Sequence, residues 1–320
     1  MSRRTESVQD LIARARGGEP RAVARLISQV EDESPSLREV MAGLAPHTGR
    51  AQVIGLTGAP GVGKSTSTNA LIRAFRARGR TVGVLAVDPS SPFSGGALLG
   101  DRVRMGDHAL DAGVYIRSMA SRGHLGGLAW STPQAMRVLD AAGYDVVLVE
   151  TVGVGQSEVE IAGLADTTVV LLAPGMGDGI QAAKAGILEV GDLYVVNKAD
   201  REGAPRTARE LRGMLALADR ARDAWTPPIL LTTAQAGTGV DEVVEALDAH
   251  HAWLHETGEL RRRRERRAAA EIEAIAVASL RARWAHLDGH RDLASLAAAV
   301  VSGASDPYAA ADTLLGTDRG

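Results

Sequence analysis

One stretch, "GLTGAPGVGKST" at 55–66, constrains the fold of this chain more than any other. It sets Gly58, then Ala59, Pro60, Gly61 and Val62, ahead of Gly63-Lys64-Ser65 and Thr66. An apolar run at 53–57 precedes it, and a helical pattern from Thr68 to Arg78 follows. In that strand–loop–helix setting the spacing predicts a phosphate-binding loop. Glycines let successive backbone N–H groups curl around phosphate oxygens with no Cβ in the way, and the helix N-terminus adds partial positive charge. Lys64 is then expected at the β- and γ-phosphates and the Ser65 hydroxyl at Mg2+. A plain glycine-rich turn would need neither Lys nor Ser at its end.

Such a loop belongs in an α/β sheet, and the rest of the chain agrees. Apolar runs predict strands at Val53–Thr57, Val82–Val87, Val114–Ser118, Val146–Glu150, Thr168–Ala173, Leu193–Asn197 and Ile229–Thr232. Several are unbroken Val/Leu/Ile runs, the signature of strands covered on both faces. Helical segments between them imply right-handed crossovers and a mostly parallel sheet. The first fifty residues read as helices, with Val8, Leu11 and Ile12, then Val23, Leu26, Ile27 and Val30, at three- and four-residue steps. After Leu260 the chain turns Arg- and Ala-rich, and Ile272, Ile275, Ala276, Leu280, Trp284 and Leu287 carry an amphipathic stripe. A further helix is expected from Asp292 to Val301. The expected organisation is an N-terminal helical extension at 1–50, a nucleotide-binding domain at 51–257 and a C-terminal helical arm at 258–320. No internal repeat is visible.

The choice of base is written in a second motif. The chain has 36 Lys plus Arg, yet only Lys64, Lys184 and Lys198 are Lys, and its only Asn are Asn69 and Asn197. Asn197-Lys198-Ala199-Asp200 ends an apolar strand, the edge where open α/β sheets bind ligands. The Asp200 carboxylate would accept from guanine N1–H and its exocyclic amine, and adenine lacks that donor pair. The Asn197 amide would reach the N7 and O6 edge, and the Lys198 stem would cover the ring, which a planar Arg fork does less well. Thr233, Ala234 and Gln235 follow the next strand, where the Ala234 N–H would meet guanine O6. GTP is the expected nucleotide.

Three acids lie at predicted strand ends or just beyond: Asp88, Asp101 and Glu150. Mg2+ on a nucleotide takes one or two carboxylates and keeps waters, so three suffice for the metal and for orienting the attacking water. The plainer alternatives are a turn-initiating Asp88 before Pro89 and a solvated strand-end Glu150. Gly153 and Gly155, followed by Gln156, leave a backbone able to swing relative to a γ-phosphate. A third glycine-rich loop at 174–186 carries Asp178, Gln181 and Lys184, and neither phosphate nor base accounts for that Lys. Arg102, Arg104 and Arg122 are candidates for a stimulating Arg.

Composition excludes several classes. With no Cys there are no disulfides, thiolate metal sites or thiol nucleophiles, which fits a reducing cytoplasm. A net charge of −3 provides no bulk reason for a nucleic-acid or membrane partner. No signal peptide and no apolar run long enough to span a bilayer is evident. Six of the seven residues at 261–267 are Arg, but no aromatics accompany them, and they read as a solvated helix start. His250, His251 and His255 share a helix at spacings that would suit a metal, although a solvated face is the simpler reading.

The ordered set "GAPGVGKST", "DPSSPFSGGALLGDRVRM", "SRGHLGGLA", "ETVGVGQSE", "PGMGDGIQAAKAGILEVGD" and "VVNKAD" resembles the MeaB/ArgK family of GTPases, whose human relative is the methylmalonic aciduria type A protein. The resemblance implies a P-loop fold of the signal-recognition-particle type and a homodimer built through the C-terminal arm. It also implies a chaperone role toward an adenosylcobalamin-dependent acyl-CoA mutase, usually methylmalonyl-CoA mutase, with GTP gating cofactor loading and protecting the mutase. By the same resemblance Lys64 and Ser65 hold phosphate and metal. Asp88, Asp101 and Glu150 form the metal and hydrolysis centre, and the loop with Asp178, Gln181 and Lys184 signals to the mutase. Two other classes remain open from the residues: a GTPase that inserts nickel into an enzyme, and a kinase of a transport protein or small molecule.

Overall fold

The computed structural model describes residues 7–89, 108, 110–121, 131–151, 157–175, 189–217, 224–286 and 289–315. Asp101, Arg102, Arg104, Arg122, Gly153, Gly155, Gln156, Asp178, Gln181 and Lys184 lie outside the described residues, as does the side chain of Asp88. The chain forms two compact units, Met1–Arg263 and Arg264–Gly320.

The first unit is built on seven parallel strands: β1 (Gln52–Thr57), β2 (Val82–Pro89), β3 (Val114–Ser121), β4 (Val146–Thr151), β5 (Thr167–Leu172), β6 (Leu193–Asn197) and β7 (Ile229–Thr232). Their order across the sheet is β3-β2-β4-β1-β5-β6-β7. All seven correspond to the apolar runs read from the sequence, with ends moved by up to three residues. Every residue of β1, β4, β5 and β6 is buried, which is why those runs do not alternate.

The side chains alternate between two cores. Ile54, Leu56, Val146 and Leu148 face α4 (Lys64–Ala77) and α8 (Val240–Glu256), meeting Ile72, Phe75, Val244 and Leu247. Val53, Val147 and Val149 face the other way, toward α5 (Thr132–Ala141), α6 (Ser157–Leu164) and the N-terminal helices α1 (Val8–Arg16), α2 (Pro20–Glu31) and α3 (Leu37–Leu44). The N-terminal helices therefore complete the main core: Leu26, Ile27 and Val30 are fully buried, each contributing about 1.5–3 kcal/mol of apolar burial. Arg117 of β3 ties into this layer through Glu31 and Ser28. Gly55 lets α6 approach β1 closely, because a Cβ there would sit 2.7 Å from Ile161 Cγ1.

From β1 the chain moves out to β2 and β3, then returns to β4 and passes over β1 to β5. This reversal opens a crevice at the carboxyl ends of β1 and β4, the place where such sheets bind ligands. The helix α7 (Ala204–Leu215) returns β6 to β7 and seals the far end through Leu211 against Tyr194.

At the opposite edge, Asp192, just ahead of β6, forms a buried anchor. Its carboxylate accepts from Thr168 N at 2.8 Å and takes both arms of Arg263 at 2.9 Å each. Arg263 also donates to Asp166 O at 3.0 Å, and Trp225 Nε1 to Asp192 O at 2.8 Å. Arg263 belongs to the run expected to be solvated; here it fastens the start of α9 (Glu259–His286) to the sheet. His250 departs further from expectation, being 0% exposed, with Nδ1 2.9 Å from Thr167 Oγ1 and its ring 4.7 Å from that of Trp225. The reason is the phase of α8, which turns Val243, Val244, Leu247, His250 and Leu254 inward. His251 stacks edge-on against His255 at 4.6 Å on a neighbouring face, so the three imidazoles do not converge. No described helix is long and apolar enough to cross a membrane.

In the second unit, the rest of α9 is followed by α10 (Gly289–Val301) and α11 (Pro307–Leu315). Ile272, Leu280, Leu293, Val301 and Tyr308 are all exposed there.

Burial pushes the His250 imidazole down to about 4, with Asp192 opposing and Arg263 reinforcing that shift. A folded-state value below the unfolded one means stability present above pH 6.5 and lost as pH falls toward 4. The loss should be on the order of 3 kcal/mol. Denaturant midpoints measured at pH 7, 5.5 and 4.5 should therefore fall more steeply for the wild type than for His250→Asn, which cannot titrate.

Candidate nucleotide site

The phosphate loop leaves β1 beside β5, and its conformation depends on two glycines in particular. Gly58 has φ +143°, and a Cβ there would lie 2.3 Å from Leu171 O. Gly63, at φ +97°, precedes α4, and a Cβ would lie 2.5 Å from Asn197 Nδ2. Val62 is buried at the floor while Pro60 and Gly61 are exposed at the rim. Lys64 opens α4 at 7% exposure, with Nζ donating to Gly58 O at 2.5 Å and to Ala59 O at 3.2 Å. The loop's own carbonyls thus hold the ammonium at the hollow where phosphate oxygens belong. Ser65 is half-buried and Thr66 exposed on the first turn of the helix.

Glu150 lies at the carboxyl end of β4, 3% exposed. Its Oε1 accepts from Ser65 Oγ at 2.7 Å and its Oε2 from Thr68 Oγ1 at 2.7 Å. The solvated strand-end alternative is excluded, and the carboxylate stands behind Ser65 in hydrogen-bond contact with it. Thr68 escaped the sequence reading, yet its signal was present: it lies three residues after Ser65, on the same face of α4. The backbone of Asp88 reaches the same sheet edge, on β2 beside β4. Among the described residues no group of three or more His, Cys, Asp or Glu could hold a metal ion by itself. A hydroxyl backed by a carboxylate is a hard oxygen donor set, of the kind that suits Mg2+ shared with phosphate oxygens.

The base side is assembled from β6 and β7. Asn197, 3% exposed, donates from Nδ2 to Val62 O at 2.9 Å. Its Oδ1 accepts from Thr232 Oγ1 at 3.2 Å and Ala234 N at 3.1 Å. The Asn197 amide and the Ala234 N–H, expected as purine contacts, bond to one another here, and the amide also bonds to the phosphate loop, because a buried amide must satisfy both its ends. Lys198 adopts φ +58°, a left-handed backbone uncommon outside glycine, and its Nζ donates to Gly61 O at 2.6 Å. Its stem therefore bridges from β6 to the loop. Asp200 remains at the surface with Thr233 Oγ1 3.4 Å from Oδ1, and Gln235 is exposed in the turn that follows.

A phosphate loop on the central strand, with Asn-Lys-x-Asp two strands away, defines a P-loop GTPase. The chain belongs to the MeaB family: the family described as methylmalonyl Co-A mutase-associated GTPase MeaB matches residues 23–287. A relative from Pyrococcus horikoshii, named for GTPase activity, is 46% identical over 314 residues, covering 97% of this chain and 98% of its own. GTPase ArgK of Escherichia coli is 38% identical across 81% of this chain and 80% of that protein. The mouse protein named methylmalonic aciduria type A homolog, mitochondrial, is 36% identical across 82% of this chain and 64% of that protein. A solved structure described as LAO/AO transport system kinase has a TM-score of 0.76 at 28% identity, covering 100% of this chain and 99% of the other. GTP hydrolysis is the activity that this family and this fold share.

Removing the Asn197 amide strips Val62 O and Ala234 N of a buried partner, at a cost of about 1–3 kcal/mol each. Asn197→Ala should lower the melting temperature and weaken GDP and 7-deaza-GDP by similar factors in equilibrium titrations. A penalty confined to GDP would assign the amide to purine N7 instead.

Proposed function

We propose that this GTPase acts on an adenosylcobalamin-dependent acyl-CoA mutase, most simply methylmalonyl-CoA mutase, gating cofactor loading and protecting the enzyme from inactivation. The observation that carries the reading is the match of residues 23–287 to a family described as mutase-associated, on a chain whose nucleotide site is built as above. The name of the mouse relative points the same way.

At the site, Lys64 holds the β- and γ-phosphates, exchanging its bonds to Gly58 and Ala59 for phosphate oxygens, and the backbone N–H groups of Ala59 and of Gly61 to Thr66 surround them. Ser65 would hold Mg2+, which supplies charge neutralisation at the phosphates, with Asp88, Asp101 and Glu150 completing the centre. Phosphoryl transfer of this kind depends on positioning and charge stabilisation more than on a base. Asp200 takes the guanine N1–H and amine, oriented by Thr233, and the Lys198 stem covers the ring. Gly153, Gly155 and Gln156 form the segment that responds to the γ-phosphate, and Asp178, Gln181 and Lys184 the loop that signals to the mutase. The exposed Ile272, Leu280 and Leu293 of the arm support a homodimer made through it. The lack of Cys fits the cytoplasm as its compartment.

Asp200→Asn should move preference from GTP to xanthosine triphosphate, because the new amide donates where the acid accepted; unchanged preference rejects the base assignment. GTP turnover should rise when purified methylmalonyl-CoA mutase carrying adenosylcobalamin is added, and Lys184→Ala should blunt that rise while leaving intrinsic turnover near normal. Turnover indifferent to methylmalonyl-, isobutyryl- and ethylmalonyl-CoA mutases would reject the partner. Labelled γ-phosphate on a protein or metabolite, rather than free in solution, would establish the kinase alternative.

A further inference from the structure

We infer that Thr68 is a positioning residue for the cation at the nucleotide, acting through Glu150 on Ser65. The inference rests on the proposed role of Ser65 as the metal-side hydroxyl.

Thr68 Oγ1 carries one proton and lies near two acceptors, Lys64 O at 3.1 Å and Glu150 Oε2 at 2.7 Å. The shorter contact is to a carboxylate, and charge-assisted bonds outcompete neutral ones. The proton goes to Glu150. Ser65 Oγ likewise sends its proton to Glu150 Oε1 at 2.7 Å. The two hydroxyls stand three residues apart on one helix face and each takes a different oxygen of the same carboxylate. Two such bonds fix the plane of the carboxylate as well as its position.

The consequence falls on Ser65. A hydroxyl that donates to a buried carboxylate becomes a more electron-rich oxygen, and outer partners of this kind raise ligand basicity and orient the ligand. With Thr68 0% and Glu150 3% exposed, water competes poorly for either bond. Loss of Thr68 removes one of the two hydroxyl bonds that orient the carboxylate toward Ser65.

Packing does not call for a hydroxyl at this position. The next turns of α4 on the same core are Leu71, Ile72 and Phe75, and an aliphatic residue would suit position 68 equally. A β-branched hydroxyl inside a helix is also no help to helix formation. The hydroxyl is explained by the carboxylate it meets.

The test follows release of a fluorescent GDP analogue as Mg2+ is titrated, with release in EDTA as the metal-free reference. Thr68→Val should leave the EDTA rate at the wild-type value and raise the Mg2+ midpoint roughly tenfold, the lower end for loss of an outer partner. Thr68→Ser should return the midpoint to near the wild-type value. Thr68→Ala serves in the same role if the Val variant fails to fold. A wild-type midpoint in the variants lacking the hydroxyl would overturn the inference. So would faster release that is equal with and without Mg2+, the mark of a packing defect. Glu150→Gln separates the two layers. If it raises the midpoint and Thr68→Val does not, only the role of Thr68 falls; if it leaves the midpoint unchanged, the reading of Glu150 and Ser65 falls with it.

Discussion

The buried amide of Asn197 is the contact on which the nucleotide site depends. It joins Val62 in the phosphate loop, Thr232 on β7 and Ala234 in the turn beyond, three segments separated by up to 172 positions in the chain. Gly63 is required by the same contact, since any Cβ would collide with the amide nitrogen. The phosphate loop and the Asn-Lys-x-Asp strand end are thereby tied together. Lys198 repeats the connection from the next position, through its bond to Gly61 O. Its left-handed backbone costs on the order of 1 kcal/mol and is held by the bonds around it.

The two ends of β6 have different duties. Its carboxyl end carries Asn197, Lys198 and the approach to Asp200. Ahead of its amino end, Asp192 binds Thr168 N and both arms of Arg263, where the long C-terminal helix begins. The phosphate loop follows β1 and Glu150 stands at the carboxyl end of β4, while β6 leads into Asn-Lys-x-Asp at one end and follows the Asp192–Arg263 pair at the other. His250 and Trp225 wall off that root from water, which is why the imidazole stays neutral at ordinary pH.

Much of this was legible in the sequence because the signals are local. The unbroken runs at 146–150, 168–173 and 193–197 marked strands that turn both faces to the interior. Gly58-x-x-x-x-Gly63-Lys64-Ser65 could form only one kind of loop between a strand and a helix. What escaped were residues whose partners are distant. His250 looked like one member of a polar helix face until α8 was turned against β5. Arg263 looked like one more Arg in a run of them. Thr68 looked like an ordinary helix residue, since its spacing from Ser65 is local but the carboxylate that joins the two hydroxyls lies on β4, 82 positions away.

The sequence by itself determined that this chain has a parallel α/β sheet, a phosphate loop and a guanine-selective motif, because each is set by spacing within a few residues. Only the tertiary structure decided which polar groups of those motifs bond to one another. A buried donor or acceptor takes the partner that the fold brings within about 3 Å, and that choice depends on how strands far apart in the chain are laid side by side. Asn197 was recognisable from four letters; that its amide holds the phosphate loop became visible only when β6 and β7 were set beside it.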